Sequence, residues 1–427
     1  MNQLSLFLPC AAGVEDFLLP EVQRITGLGD ADVRKRRGGV EAIASWRDAM
    51  LLNLHSRLAQ RVLVQLSHTP YRNEQDLYRA ASGVAWEIWF TPRQSIKVEV
   101  TAQHSPLTSL NFAALKVKDA VCDRFRDKAG GVRPDVDTRW PDIRIYAHLT
   151  TDTCTLYIDT SGEPLFKRGW REDKGDAPLK ETLAAAMIAA SGWPGLLDAA
   201  LAKGEPPVPL YDPCCGSGTI AIEAAQIACH IAPGLNRRFA FEKMLPFQPH
   251  VWDAIKKEAV SAQSIRANIV FGSDVAHRMV DFAERNAERA GVAACVEFRG
   301  GDALQRMPPA GVPGVMLLNP PYGERIAVAG VAGEEAAGRF GAREVAQTDD
   351  GGEFFSRLAN HWKASYTGWT AWMLTPDLKL PGKMRMKETR RVPMWNGPIE
   401  CRLFKFDISK LRAPGGAKLG SDPDYRN

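Results

Sequence analysis

The chain has 427 residues, 45% of them hydrophobic and 24% charged, a length that calls for two or three domains and the balance of an ordinary folded protein. No apolar run approaches the roughly 18 to 20 residues of a membrane helix, and the first residues, MNQLSLFLPCAAG, lack a basic leader and read as a strand, so no membrane association is expected and the location is expected to be cytoplasmic. A formal net charge of +4 permits nucleic-acid binding without demanding it.

In chain order, Leu4–Pro9 reads as a strand, Glu15–Thr26 as an amphipathic helix, Val40–Ala44 as a strand and Trp46–Gln60 as a second helix, a small α+β unit over residues 1–65. Within it Arg34-Lys35-Arg36-Arg37 concentrates positive charge. Residues 66–160 form a second unit: a strand at Ile96–Val100, a helix at Asn111–Lys128 whose Val117, Ala120, Val121 and Phe125 share one face, and strands at Ile143–Leu149 and Thr153–Asp159. Neither unit clusters catalytic residue types, so this half is expected to bind or position a partner. In the linker, residues 161–204, Lys167-Arg168-Gly169-Trp170-Arg171 joins positive charge to an indole that can stack on a base or ribose. Lys167, Arg168, Trp170 and Arg171 are therefore candidates for substrate contact. The alternative is a solvated charged face with the Trp tucked into a domain seam.

From residue 205 to 411 the pattern becomes strand, glycine turn and helix in repetition, as in a parallel sheet covered by helices. Strands are expected at Leu210-Tyr211, Ile269–Phe271, Val296–Phe298, Val315–Leu318 and Ala371–Leu374, and helices at Thr219–Cys229, Ala276–Ala290 and Gly352–Ser365. Arg391–Met394 and Cys401–Phe406 flank Asn396-Gly397-Pro398 as a closing hairpin. The expected fold is an α/β Rossmann-like, doubly wound, seven-stranded and mostly parallel sheet with an antiparallel edge. Residues 231–266 form an insertion, 326–350 a mobile loop beside the site, and 412–427 a disordered tail.

Asp212-Pro213-Cys214-Cys215-Gly216-Ser217-Gly218-Thr219 lies where the first strand hands over to a helix. Gly216 and Gly218 allow positive φ and close approach of backbone to a ligand, and N–H groups of Cys214, Ser217 and their neighbours can receive a carboxylate. No Gly-Lys-Ser/Thr follows, so a triphosphate P-loop is absent, and Asp212 would repel a pyrophosphate but suits the ammonium of an amino acid. S-adenosylmethionine has that ammonium. Asp274, at the end of the second strand, can accept both ribose hydroxyls, while Asp302 with the N–H of Ala303 can hold adenine. The eight cysteines and eight histidines show no metal-ligand spacing, so free thiols and no metal are expected.

Asn319-Pro320-Pro321-Tyr322 ends the fourth strand at the carboxyl edge. An exocyclic amine is a poor nucleophile because its lone pair is delocalised into the ring. The Asn319 side-chain oxygen and the Pro320 carbonyl can each accept one of its N–H groups, Pro320 and Pro321 hold that carbonyl fixed, and Tyr322 can stack on a flipped base. These residues alone leave the amine open: guanine N2 and adenine N6 of RNA or DNA fit equally.

Leu165–Arg171, Ala177-Pro178-Leu179-Lys180-Glu181-Thr182-Leu183-Ala184-Ala185, the turn from Asp212 to Ala225, Asn319–Arg325 and Trp395–Cys401 together resemble the bacterial family of THUMP-containing RNA methyltransferases, most closely its guanine-N2 members acting on 23S ribosomal RNA (the m2G2445 type). The resemblance covers nearly the whole chain. It implies that residues 66–160 contain a THUMP domain preceded by a ferredoxin-like unit, together gripping RNA, that Thr182 lies near the cofactor, and that Arg325 contacts substrate. It implies S-adenosylmethionine as cofactor and ribosomal RNA, naked or in early assembly, as partner; no obligatory protein partner is evident. Relatives often have Met and a single Cys where this chain has Cys214-Cys215. Some carry a second methyltransferase domain making 7-methylguanine, for which this chain is too short, so a single activity is expected. The competing readings are an adenine-N6 methyltransferase and a non-catalytic RNA-binding assembly factor.

Overall fold

The computed structural model describes residues 3–175, 178–320 and 351–409. The N-terminal half builds a single sheet from β1 (Leu4–Pro9), β2 (Val33–Arg36), β3 (Gly39–Ala44), β4 (Leu63–Pro70), β5 (Ile96–Ala102), β6 (Ile143–Leu149) and β7 (Thr153–Asp159), in the order β2-β3-β1-β4-β7-β6-β5. The alternation of β1 buries Leu4, Leu6 and Leu8. On β6, Ile143, Ile145, Ala147 and Leu149 face inward in the same way, the period of a sheet with one covered face. Helices α1 (Glu15–Thr26), α2 (Trp46–His55), α3 (Glu74–Gly83) and α4 (Leu110–Lys128) complete this half. Strand β4 pairs with β1 on one side and β7 on the other, so the boundary drawn at residue 65 falls inside a strand common to both units.

Two local outcomes differ from the sequence expectation. The helix starting at Trp46 stops at His55 rather than Gln60, because the buried Glu21 carboxylate takes the Ser56 hydroxyl at 2.6 Å and the N–H groups of Arg57 and Leu58 at 3.1 and 3.2 Å. Those N–H groups are thereby withdrawn from the helical ladder. The basic run Arg34–Arg37, where the sequence pattern suggested no strand, has its first three residues in β2, an exposed edge strand.

The second half starts with α5 (Glu181–Ser191) and α6 (Trp193–Ala202). It continues with β8 (Leu210–Asp212), α7 (Thr219–Ala228), α8 (Pro249–Ser261), β9 (Val270–Asp274), α9 (His277–Arg289), β10 (Val296–Gly300), β11 (Val315–Leu318), α10 (Gly351–Ser365), β12 (Thr370–Thr375), α11 (Leu380–Met384), β13 (Arg390–Asn396) and β14 (Ile399–Asp407). Its sheet runs β10-β9-β8-β11-β12-β14-β13. The first five strands are parallel, and β14 is antiparallel to both neighbours. The order reverses between β8 and β11, which opens a crevice beyond the carboxyl ends of the strands. The all-buried run Val315–Leu318 is what a central parallel strand requires.

Polar contacts tie the halves together. Gly234 N–H donates to Leu54 O at 3.0 Å and Leu245 N–H to Trp89 O at 2.8 Å. Arg237 donates to the carbonyls of Pro164 at 2.7 Å and Lys167 at 3.0 Å. The 231–266 insertion, which contains α8, is therefore a brace between the two sheets. Deeper in, the fully buried Glu223 on α7 is shared by Arg168 of the linker at 3.0 Å and Arg57 of the N-terminal half at 3.2 Å.

Candidate cofactor and amine site

The turn after β8 is stitched to β9. Cys215 N–H donates to Ser273 O at 2.9 Å, and Gly216 N–H donates to Asp274 Oδ2 at 2.9 Å. Gly216 and Gly218 both have positive φ, +52° and +88°, but their missing side chains face different things. A Cβ on Gly218 would lie 3.0 Å from Ala283 Cβ and 3.1 Å from both Ile222 Cδ1 and Phe298 Cζ, whereas one on Gly216 would meet nothing within 4 Å. Gly218 is thus required for packing α7 onto α9 and β10. Gly216 is the position that leaves open space over the turn.

Asp212 is 1% exposed, and its Oδ1 accepts Cys214 N–H at 3.0 Å. No ion pair to it occurs among the described residues. Burial, and then the nearby Asp274 charge, push its carboxyl up to about 8. A buried acid without a cation is costly, and the ammonium of an amino-acid ligand would supply the missing charge. Asp274 accepts Ala276 N–H at 3.0 Å on its other oxygen, so its carboxylate is held in place at the end of β9. Gly301 N–H donates to Asp274 O at 3.0 Å, bringing the next turn alongside. There Asp302 Oδ1 accepts Leu304 N–H at 2.9 Å, beside the buried Ala303. Thr182 is buried in the first turn of α5, which packs against α7 and β11. Burial and the surrounding acids raise the Cys214 and Cys215 thiols well above their ordinary range, so neither is a ready nucleophile.

Asn319 follows β11 directly, with Pro320 buried behind it. The Asn319 Oδ1 is buried and has no hydrogen-bond partner among the described residues. Most buried side-chain acceptors are paired, and an amide oxygen left open can accept a hydrogen bond from a ligand N–H. Pro321, Tyr322, Arg325 and the 326–350 loop lie outside the described residues.

The basic linker segment corrects the sequence reading. Arg168, 2% exposed, spends its guanidinium on Glu223, Leu165 O at 2.8 Å and Arg57 O at 2.8 Å. Trp170 is 1% exposed. Neither can reach RNA: the charge is matched internally and the indole is enclosed, with the Arg171 guanidinium over its ring at 5.3 Å. Arg171 bonds Glu181 at 2.8 Å and Thr219 Oγ1 at 2.7 Å, fixing α5 and α7 next to the glycine turn. Lys167 alone of the four is exposed, and it pairs with Glu163.

Two supporting residues escaped the sequence reading. Asn286 on α9 donates to Ser217 O at 3.0 Å and Asp173 O at 2.8 Å, linking the linker to the turn; no motif marks it. Glu223 did carry a signal, as the one acid in the apolar run Thr219–Ala228. A lone acid in a buried helix implies a buried cation.

A parallel five-stranded sheet closed by a reversed hairpin, with acids at the ends of successive strands, is the class I methyltransferase architecture. Family models match residues 168–335 as an RMKL-like methyltransferase domain, 71–159 as a THUMP domain and 5–63 as an RlmL ferredoxin-like domain. The chain therefore carries a THUMP domain and an RMKL-like methyltransferase domain. It is 36% identical over 418 residues to ribosomal RNA large subunit methyltransferase K/L of Psychromonas ingrahamii, a match covering 96% of this chain and 51% of that protein. The chain thus spans about half the length of such curated relatives. Among solved structures it resembles the putative methyltransferase SMU.472, complexed with SAH (TM-score 0.80, 26% identity, 96% of this chain and 100% of that one). It also resembles a predicted N6-adenine-specific DNA methylase from Listeria monocytogenes (TM-score 0.78, 27% identity, 95% and 96%).

Proposed function

We propose that the protein transfers a methyl group from S-adenosylmethionine to the exocyclic N2 amine of a guanine in large-subunit ribosomal RNA, the m2G2445-type reaction. The observation that carries this reading is the buried Asn319 Oδ1, without a hydrogen-bond partner among the described residues, at the carboxyl end of β11, the strand next to β8 and its Asp212–Gly218 turn. The relatives' names support large-subunit ribosomal RNA as the substrate, and the choice of guanine N2 over adenine N6 rests on the motif resemblance.

The residues fit the cofactor. Asp212 takes its ammonium, the open space at Gly216 admits its amino-acid end, Asp274 accepts ribose hydroxyls, and Asp302 with Ala303 N–H faces its adenine. Thr182, buried in the first turn of α5, is assigned to the cofactor side by the motif resemblance. When bound, the cofactor supplies an electrophilic methyl group on a sulfonium. Asn319 Oδ1 and the Pro320 carbonyl accept the two N–H groups of the target amine, drawing the nitrogen toward tetrahedral geometry and orienting its lone pair. Pro320 and Pro321 keep that acceptor rigid, and Tyr322 stacks on the extruded base. The proton leaves to water. The exposed Lys167 and, by the motif resemblance, Arg325 are assigned to RNA contact, and the THUMP-containing half anchors the RNA.

The test is methylation of protein-free large-subunit RNA from a deletion strain with labelled cofactor, followed by nucleoside mass spectrometry. N2-methylguanosine is the expected product. N6-methyladenosine would refute the choice of base, and failure to bind the cofactor would refute the enzymatic reading.

A further inference from the structure

The two sheets meet on the active-site side, and the contact brings together parts of the chain that the sequence keeps far apart. Gly13, after β1, lies so close to β13 that a Cβ there would stand 2.3 Å from Pro393 O and 3.5 Å from the Trp395 ring. The same loop is joined to the β2–β3 turn by one carboxylate. Glu15 accepts Gly13 N–H at 2.8 Å and Gly38 N–H at 3.0 Å, and Cys10 N–H donates to Gly38 O at 2.9 Å. Gly38, which follows Arg37, is thereby tied to the loop that abuts β13 of the β13–β14 hairpin.

That hairpin projects from the carboxyl edge of the sheet. β12 ends with Thr375 opposite Arg402, and β14 begins three residues earlier at Ile399, so the tip stands about 10 Å beyond the strand ends. Across the sheet, β13 is three strands from β11, about 14 Å from Asn319 laterally. Lys35 pairs with Asp16 and Arg36 with Glu41. Arg34 and Arg37 are exposed and have no ion pair among the described residues. Trp395, on the tip, is half-buried.

We infer that Arg34 and Arg37, with Trp395 of the hairpin tip, form a track for the unpaired RNA strand flanking the target nucleotide: the arginines hold phosphates and the indole stacks on a base or ribose. The inference rests on the proposed RNA substrate. The contrary reading is that the arginines only guard an exposed edge strand from pairing with other chains.

The test uses the full chain and protein-free large-subunit ribosomal RNA at several salt concentrations. For the pair Arg34→Gln and Arg37→Gln, KM for RNA rises at least tenfold and the slope of log affinity against log salt falls by about 1.5. Affinity for S-adenosylhomocysteine and the thermal midpoint, which report folding, stay at wild-type values. Trp395→Phe retains more RNA affinity than Trp395→Ala, and neither alters the salt slope. An unchanged KM and salt slope in the double-Gln variant, with or without aggregation, overturns the track while wild-type methylation of the same RNA leaves the proposed function standing. Absence of wild-type methylation overturns both.

Discussion

Asp212 makes cofactor binding a protonation equilibrium. In the free protein its carboxyl is pushed up to about 8 from an ordinary 3.8, chiefly by burial and further by the Asp274 charge, against the opposing hydrogen bond from Cys214 N–H. Between those values the folded chain holds a proton that the unfolded chain has lost, so this group's contribution to stability is full below pH 4 and drains away as pH rises toward 8. A ligand ammonium favours the carboxylate and expels that proton. Affinity for S-adenosylhomocysteine should therefore rise about tenfold per pH unit, or about 30-fold between pH 5.5 and 7.0, where the ligand's own ammonium remains charged. Calorimetry in buffers of different ionisation enthalpy should find close to one proton released per ligand at pH 6. Asp212→Asn, neutral throughout, should bind weakly with no slope. A wild-type affinity that is flat over this range, with no proton released, would refute the assignment of Asp212 to the ammonium.

Asn319→Ala should leave affinity for S-adenosylhomocysteine within twofold while slowing transfer by about 10²–10³, the usual cost of losing one preorganised hydrogen-bonding group; equal losses in both would mean a structural role. The two glycines of the turn should separate. Gly218→Ala should lower the unfolding midpoint through its φ of +88° and its crowded neighbours, and Gly216→Ala should mainly weaken cofactor binding, by at least about tenfold if its methyl group occupies ligand space. Glu223→Leu strands Arg57 and Arg168 and should cost about 3–5 kcal/mol in urea unfolding. Adding Arg168→Met should recover part of that loss, so additive losses would contradict a shared ion cluster.

Much of the methyltransferase half was legible in the sequence because its strands carry local signals. Val315–Leu318 is an unbroken apolar run, and the Asp212–Gly218 turn announces itself by its glycines, so β11 and the handover from β8 to α7 were placed within a residue or so. β4 and α3 were not anticipated, and α2 was drawn too long, since its end depends on Glu21, a residue in another helix whose carboxylate captures the chain after His55.

The order of strands, the turn chemistry of Asp212–Gly218 and the acceptor pair at Asn319-Pro320 follow from residue types at short range, where backbone geometry and hydrogen-bonding capacity are properties of the local chain. Which charges face solvent does not. Lys167 to Arg171 and Arg34 to Arg37 are both basic runs on the page, yet the first is consumed by Glu223, Glu181, Glu163 and main-chain carbonyls at a domain seam, and the second keeps Arg34 and Arg37 exposed on and next to the edge strand β2. Only the docking of the two sheets decided that difference, because a guanidinium's role is set by whether an acid and carbonyls from distant segments close around it before water or a phosphate can.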